Sequence, residues 1–99
     1  MKALFEDFLS KMEGQLSILP DKKEENAHNT LSALWHTAAG NRVSVITAKK
    51  LELPFLVSAQ ISMLENMVNR RLAGIPLAHL TERQNFMGLD YILNAGHYI

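Results

Sequence analysis

The stretch VSAQISMLENMVNRRLAGIP, residues 57–76, decides how the chain folds. Val57, Ile61, Leu64, Val68 and Leu72 step by four, three, four and four, which is the spacing of one face of an α-helix. Met63 and Met67 widen that stripe, while Ser58, Gln60, Glu65, Asn66, Asn69 and Arg70 fill the opposite face. Gly74 supplies a stop and Pro76 bars continuation, so a helix is predicted over 57–73.

The segments before it read in the same way. Leu4, Phe5, Phe8, Leu9, Met12 and Leu16 recur at steps of one, three and four, predicting an amphipathic helix over 2–18 that Gly14 weakens and Pro20 ends. Asp21 is placed to cap a second helix over 22–39, with Glu24 and Glu25 suited to the positive end of its dipole. Ala27, Leu31, Leu34, Trp35 and Ala38 form its apolar stripe, and Gly40 followed by Asn41 its stop. RVSVITAKKL, residues 42–51, has β-branched residues without a nearby partner strand and is predicted as a short helix over 43–50. After Pro76 the pattern changes: Gln84–Met87 and Tyr91–Leu93 are short extended candidates around Gly88-Leu89-Asp90, a predicted β-hairpin. The expected class is mainly α, a small bundle of about four helices over 1–80 with a C-terminal β-hairpin over 81–99.

Composition limits what such a domain does. A chain of 99 residues, 47% hydrophobic, is one small globular domain. Ten Lys+Arg balance ten Asp+Glu, so direct nucleic-acid binding and a polybasic membrane module are not expected. The absence of cysteine removes disulfides, thiol nucleophiles and Cys-ligated zinc. The longest apolar stretches, such as Leu53–Val57, are far from the ~20 residues a bilayer span needs. Glu6 and Asp7 fall where a signal peptide would be apolar, so a soluble, cytoplasmic domain is expected.

The chemistry-bearing residues are scattered. His28, His36, His79 and His97 share no ligand spacing and read as ordinary surface or half-buried histidines, so no metal site is expected. Glu6-Asp7 and Glu24-Glu25 are sequence neighbours that point to different sides of a helix. No glycine-rich phosphate loop and no nucleophile elbow occurs. Met12, Met63, Met67, Met87 and Trp35 read as core before they read as a binding surface. Arg70 and Arg71 complement the C-terminal end of their helix dipole, and Arg71, three residues after Val68, can lay its stem on the core. Thr81, Glu82 and Arg83 lead into the hairpin as a turn or a partner surface. No catalytic residue is assigned.

One stretch carries a resemblance. RRLAGIPLAHLTERQNFMGLDYILNAGHYI, residues 70–99, resembles the end of the N-terminal domain of HemK-type protein-glutamine N5-methyltransferases, the family that methylates peptide-chain release factors. The matches are Arg70-Arg71, Gly74-Ile75-Pro76, His79-Leu80, Phe86-Met87-Gly88-Leu89 and Tyr98-Ile99, and the count from Phe86 to Ile99 agrees with the family. The first 69 residues agree only as a helical pattern, with Ala38-Ala39-Gly40 similar to the family's second-helix stop. Glu82 departs from the pattern, which usually has glycine there, and Asn94-Ala95-Gly96 departs from its second hairpin strand.

The resemblance implies a parent enzyme whose C-terminal Rossmann-like domain binds S-adenosylmethionine through a glycine-rich acidic motif and holds the substrate glutamine with Asn-Pro-Pro-Tyr. Neither motif lies in these residues, and the apolar end Gly96-His97-Tyr98-Ile99 reads as a cut before that domain. The chain itself then needs no cofactor. Its expected role is recognition of a protein substrate, a release factor, with Arg70, Arg71, Glu82 and Arg83 as candidate substrate-interface residues. Phe86, Gly88, Leu89, Tyr98 and Ile99 would fix it to its own catalytic domain. The alternatives are a stand-alone helical protein-interaction module and a methyltransferase of this family with another target.

Overall fold

A computed structural model describes the backbone of residues 2–15, 26–86 and 89–92, and the side chains of 2–15 and 26–82. Five helices follow in order: α1 (Lys2–Gln15), α2 (Ala27–Ala38), α3 (Val45–Ala48), α4 (Ser58–Leu72) and α5 (Leu77–Thr81). The class is mainly α. Backbone of β1 (Arg83–Phe86) pairs antiparallel with β2 (Leu89–Ile92), Arg83 opposite Ile92 and Phe86 opposite Leu89.

Helix α2 is the centre. Ten of its twelve residues are buried, and α1, α3, α4 and α5 all pack on it. A helix covered on every side has no polar face, so its hydroxyls need partners along its own backbone. Ser32 Oγ donates to the His28 carbonyl at 3.0 Å, and Thr37 Oγ1 donates to the Ala33 carbonyl at 2.9 Å, each one turn back. Around this axis lie the fully buried Met12, Leu31, Leu34, Trp35, Leu56, Leu64 and Val68. Phe5 of α1 sets its ring 5.6 Å from that of Trp35 and edge-on to that of His28 at 5.2 Å.

The boundaries correct several expectations. Asn26, not Asp21, caps α2: its backbone is extended and its Oδ1 accepts from the Asn29 N–H at 2.9 Å. Leu16, Asp21, Glu24 and Glu25 lie outside the described residues. The third helix is shorter than 43–50 because Ser44 caps it, accepting from the Thr47 N–H, and Lys49 already closes it. Helix α4 follows the predicted span within a residue; Val57 has no side-chain acceptor, but its own N–H donates to Gln60 Oε1 at 2.9 Å. Helix α5 is not in the sequence reading at all. Pro76 stops one helix and opens the next, and Leu77, Leu80 and Thr81 carry its buried face.

The strand register also shifts the expected turn. Leu89 and Asp90 belong to β2 rather than to the turn, because Phe86 already faces Leu89. Met87, Gly88 and residues 93–99, Tyr98 and Ile99 among them, lie outside the described residues.

Two helix ends are built alike. Gly40 (φ 93°) and Gly74 (φ 110°) take the left-handed conformation just past α2 and α4. The Gly40 N–H donates to Thr37 and the Asn41 N–H to His36, at 3.0 and 2.9 Å. The Gly74 N–H donates to Arg71 and the Ile75 N–H to Arg70, both at 3.1 Å. No atom would obstruct a Cβ at Gly74 or at Gly14. The two positions therefore separate backbone strain from packing. Gly74→Ala is expected to lower stability to urea by about 1–2 kcal/mol, and Gly14→Ala, inside α1, to raise it by about 0.5–1 kcal/mol. Shifts of the same sign would contradict this account.

Candidate recognition surface at the end of α5

The candidate residues fall on two helix ends. Arg70 and Arg71 occupy the last turn of α4, where their charges complement the dipole and their carbonyls accept the closing bonds of Gly74 and Ile75. Arg70 is exposed, and its neighbour Asn69 accepts from Lys11 Nζ of α1 at 2.6 Å. Arg71 is half-buried, as its place beside Val68 predicts, and its Nε is buried without a partner among the described residues.

Glu82 closes α5 in the left-handed conformation, φ 58° and ψ 28°, the one described non-glycine residue with positive φ. This is the position where the sequence departs from a glycine pattern, and the backbone shows what glycine would relieve there. Arg42, in the loop after α2, reaches the same corner. Its Nη1 lies 3.2 Å from Glu82 Oε2 and donates to the Leu80 carbonyl at 3.1 Å. Arg42 is the contact that sequence reading missed. Both side chains are more than a third exposed, so solvent screening limits the ion pair to a fraction of about 1 kcal/mol. The carbonyl bond gives it direction.

Arg83 follows directly as the first residue of β1, and its side chain lies outside the described residues, as do those of Phe86 and Leu89. The structure thus places Glu82 and Arg83 consecutively at the corner, with Arg42 added from α2's far end. Arg70 and Arg71 stand on the neighbouring helix, which packs on α5.

The remaining candidates resolve by burial. Trp35, Met12 and Met67 are core, as expected, whereas Met63 is half exposed and Met87 lies outside the described residues. His28 and His79 are exposed. His36 is not a surface or half-buried histidine: it is 3% exposed on α2. Burial holds its imidazole below the ordinary 6.5, against a hydrogen bond to the Leu51 backbone that works the other way. No group of three metal-ligating residues exists among the described residues. No helix among them is long and apolar enough to cross a membrane. No protein-family model, curated protein or solved structure matches this chain.

Two outcomes follow. Glu82→Gly exchanges a strained backbone for a partly screened ion pair, so its thermal midpoint should equal or exceed that of the parent, while Glu82→Ala, keeping the strain, should lose about 0.5–1 kcal/mol. A Gly variant less stable than the parent would show that the ion pair outweighs the strain, and one no more stable than the Ala variant would show that the left-handed backbone carries none. His36 is held neutral when folded, and the unfolded chain takes up a proton below about 6.5. Its share of stability is therefore full above pH 6.5 and is lost progressively as pH falls toward the lowered folded value. Thermal melts at pH 7.5 and 5.5 should show that loss, and His36→Gln should flatten it.

Proposed function

We propose that this chain is the helical substrate-recognition part of a protein-glutamine N5-methyltransferase of the HemK type, acting on a peptide-chain release factor. The observation that carries the reading is the run from Arg70 to Ile99, whose motifs and spacing resemble that family's interdomain junction. The left-handed backbone at Glu82 supports it, since the resemblance has glycine at that step. In this reading residues 81–99 form a hairpin that joins the helices to a catalytic domain.

The chain's own residues do not fit an S-adenosylmethionine site. They hold no glycine-rich acidic loop and no Asn-Pro-Pro-Tyr, so no step of methyl transfer is assigned to them. What they can supply is orientation. Binding energy spent on positioning a large protein substrate lowers the barrier at a distant reacting centre. In this reading Arg70 and Arg71 at the end of α4, Glu82 at the end of α5 and Arg83 at the start of β1 are the candidate contacts.

A second reading, an independent interaction module, has its own support. Leu51, Leu53, Phe55 and Val57 are exposed apolar residues at alternate positions of the segment between α3 and α4. Extending the parent reading frame past Ile99 separates the two. Pro-Arg followed by the two missing motifs supports the methyltransferase, and a stop codon supports the module. For the first reading, Arg83→Glu should weaken release-factor binding about three- to tenfold without lowering the thermal midpoint, because a charge at an interface rim acts on the partner rather than on the fold. Unchanged affinity would remove Arg83 from the interface.

A further inference from the structure

The residues LELPFLV, 51–57, join α3 to α4 and are held at both ends and in the middle. The Leu51 N–H donates to the Ala48 carbonyl at 3.1 Å, and the Val57 N–H to Gln60 Oε1 at 2.9 Å. Between them Trp35 Nε1 donates to the Pro54 carbonyl at 2.7 Å, and Leu56 is buried in the core. From 52 to 57 the chain makes no helix, turn or bend, and over its second half exposure alternates: Leu53, Phe55 and Val57 lie out, Pro54 is half-buried and Leu56 lies in. Side chains that alternate with a period of two belong to an extended strand. Phe55 is 76% exposed.

In a strand the N–H and C=O of one residue point to one edge, and those of the next residue to the other. The Pro54 carbonyl points to Trp35 on α2, so the backbone groups of Leu53 and Phe55 point away from that helix. None of them has a hydrogen-bond partner among the described residues. Proline has no N–H. Here it stands at the position whose groups face inward, where the outer edge needs none. An open edge beside exposed apolar side chains is a template for a further strand.

We infer that Leu51–Val57 pairs antiparallel with the same segment of a second copy of this chain, about a two-fold axis at Pro54. Leu53 of each copy then faces Phe55 of the other, and the two exchange both N–H···O=C bonds, so every open donor meets an open acceptor. Leu51 faces Val57, and the exposed apolar residues become one face across both strands. Glu52 faces Leu56 and Lys50 faces Ser58, so no like charges meet. A register centred on Phe55 would call on the Val57 N–H, which Gln60 already holds. The chain's ten Lys+Arg balance its ten Asp+Glu, so two copies approach without net repulsion. A strongly charged partner would find only Glu52 to meet within 51–57. This pairing depends on neither functional reading above.

Sedimentation equilibrium of the full chain from about 10 µM to 1 mM tests this, the range suited to an interface below standard size. The parent mass is expected to rise toward twice the monomer value. Phe55→Asp, which sets a carboxylate against apolar side chains on the open edge, stays monomeric throughout, with circular dichroism and thermal midpoint like the parent's. Met63→Asp, at a half-exposed residue of α4 outside the segment, still associates. In a mixture of isotopically labelled and unlabelled parent chains, filtered nuclear Overhauser contacts join Leu53 of one copy to Phe55 of the other. Those contacts decide the matter should Phe55→Asp fail to fold. A parent chain that stays monomeric assigns the segment to another occupant and overturns the pairing. Association that survives Phe55→Asp, that Met63→Asp abolishes as well, or that brings Phe55 against Phe55 overturns it too.

Discussion

The constraint on which this structure depends is that α2 is enclosed. A helix with four neighbours cannot keep a solvated face, and its sequence shows how that is met: leucines, alanines and a tryptophan are buried along it, and the hydroxyls of Ser32 and Thr37 return to carbonyls one turn back. Everything else is arranged about that axis. Helix α1 lays Phe5, Phe8 and Met12 on it, α4 adds Leu64, Met67 and Val68, and α5 closes the remaining side with Leu77 and Leu80. The corner where Arg42 meets Glu82 is the outer seam of the same arrangement, joining the loop after α2 to the end of α5.

How much of this was legible follows from the physics of each element. Helix α4 has one wet and one dry face, so its period could be read directly, and so could its glycine stop. Helix α1 is of the same kind. The enclosure of α2 was not legible, because Thr30, Ser32, His36 and Thr37 look like a polar face in a one-dimensional pattern, and only tertiary packing makes them interior. Its start was displaced because Asp21 and Asn26 are both good caps, and the choice between them rests on where the chain arrives. Helix α5 escaped notice because a proline that ends one helix also opens another, and five residues are too few to show a period.

The candidate surface was partly legible. Arg70 and Arg71 at a helix end, and Glu82 as an unusual residue at a turn, can be found by eye. Arg42 could not be linked to Leu80 or Glu82 from the sequence, since 38 and more residues separate them. The left-handed conformation of Glu82 joins the two kinds of knowledge, since a glycine expected by resemblance is answered by a backbone angle that glycine suits. Val57 is the reverse case: in the sequence it heads the apolar stripe of α4, and in the structure it lies exposed, because it stands just outside the helix as its N-cap.

The enclosure of α2 also bears on how the chain is made. Synthesis proceeds from the N-terminus, so α2 emerges from the ribosome before α4 and α5 do. Until Leu77 and Leu80 have emerged, Trp35 and the leucines beside it have water on at least one side. With α1 and α3 alone beside it, α2 still lacks the cover that α4 and α5 supply, so the emerging chain exposes apolar surface that the finished one does not.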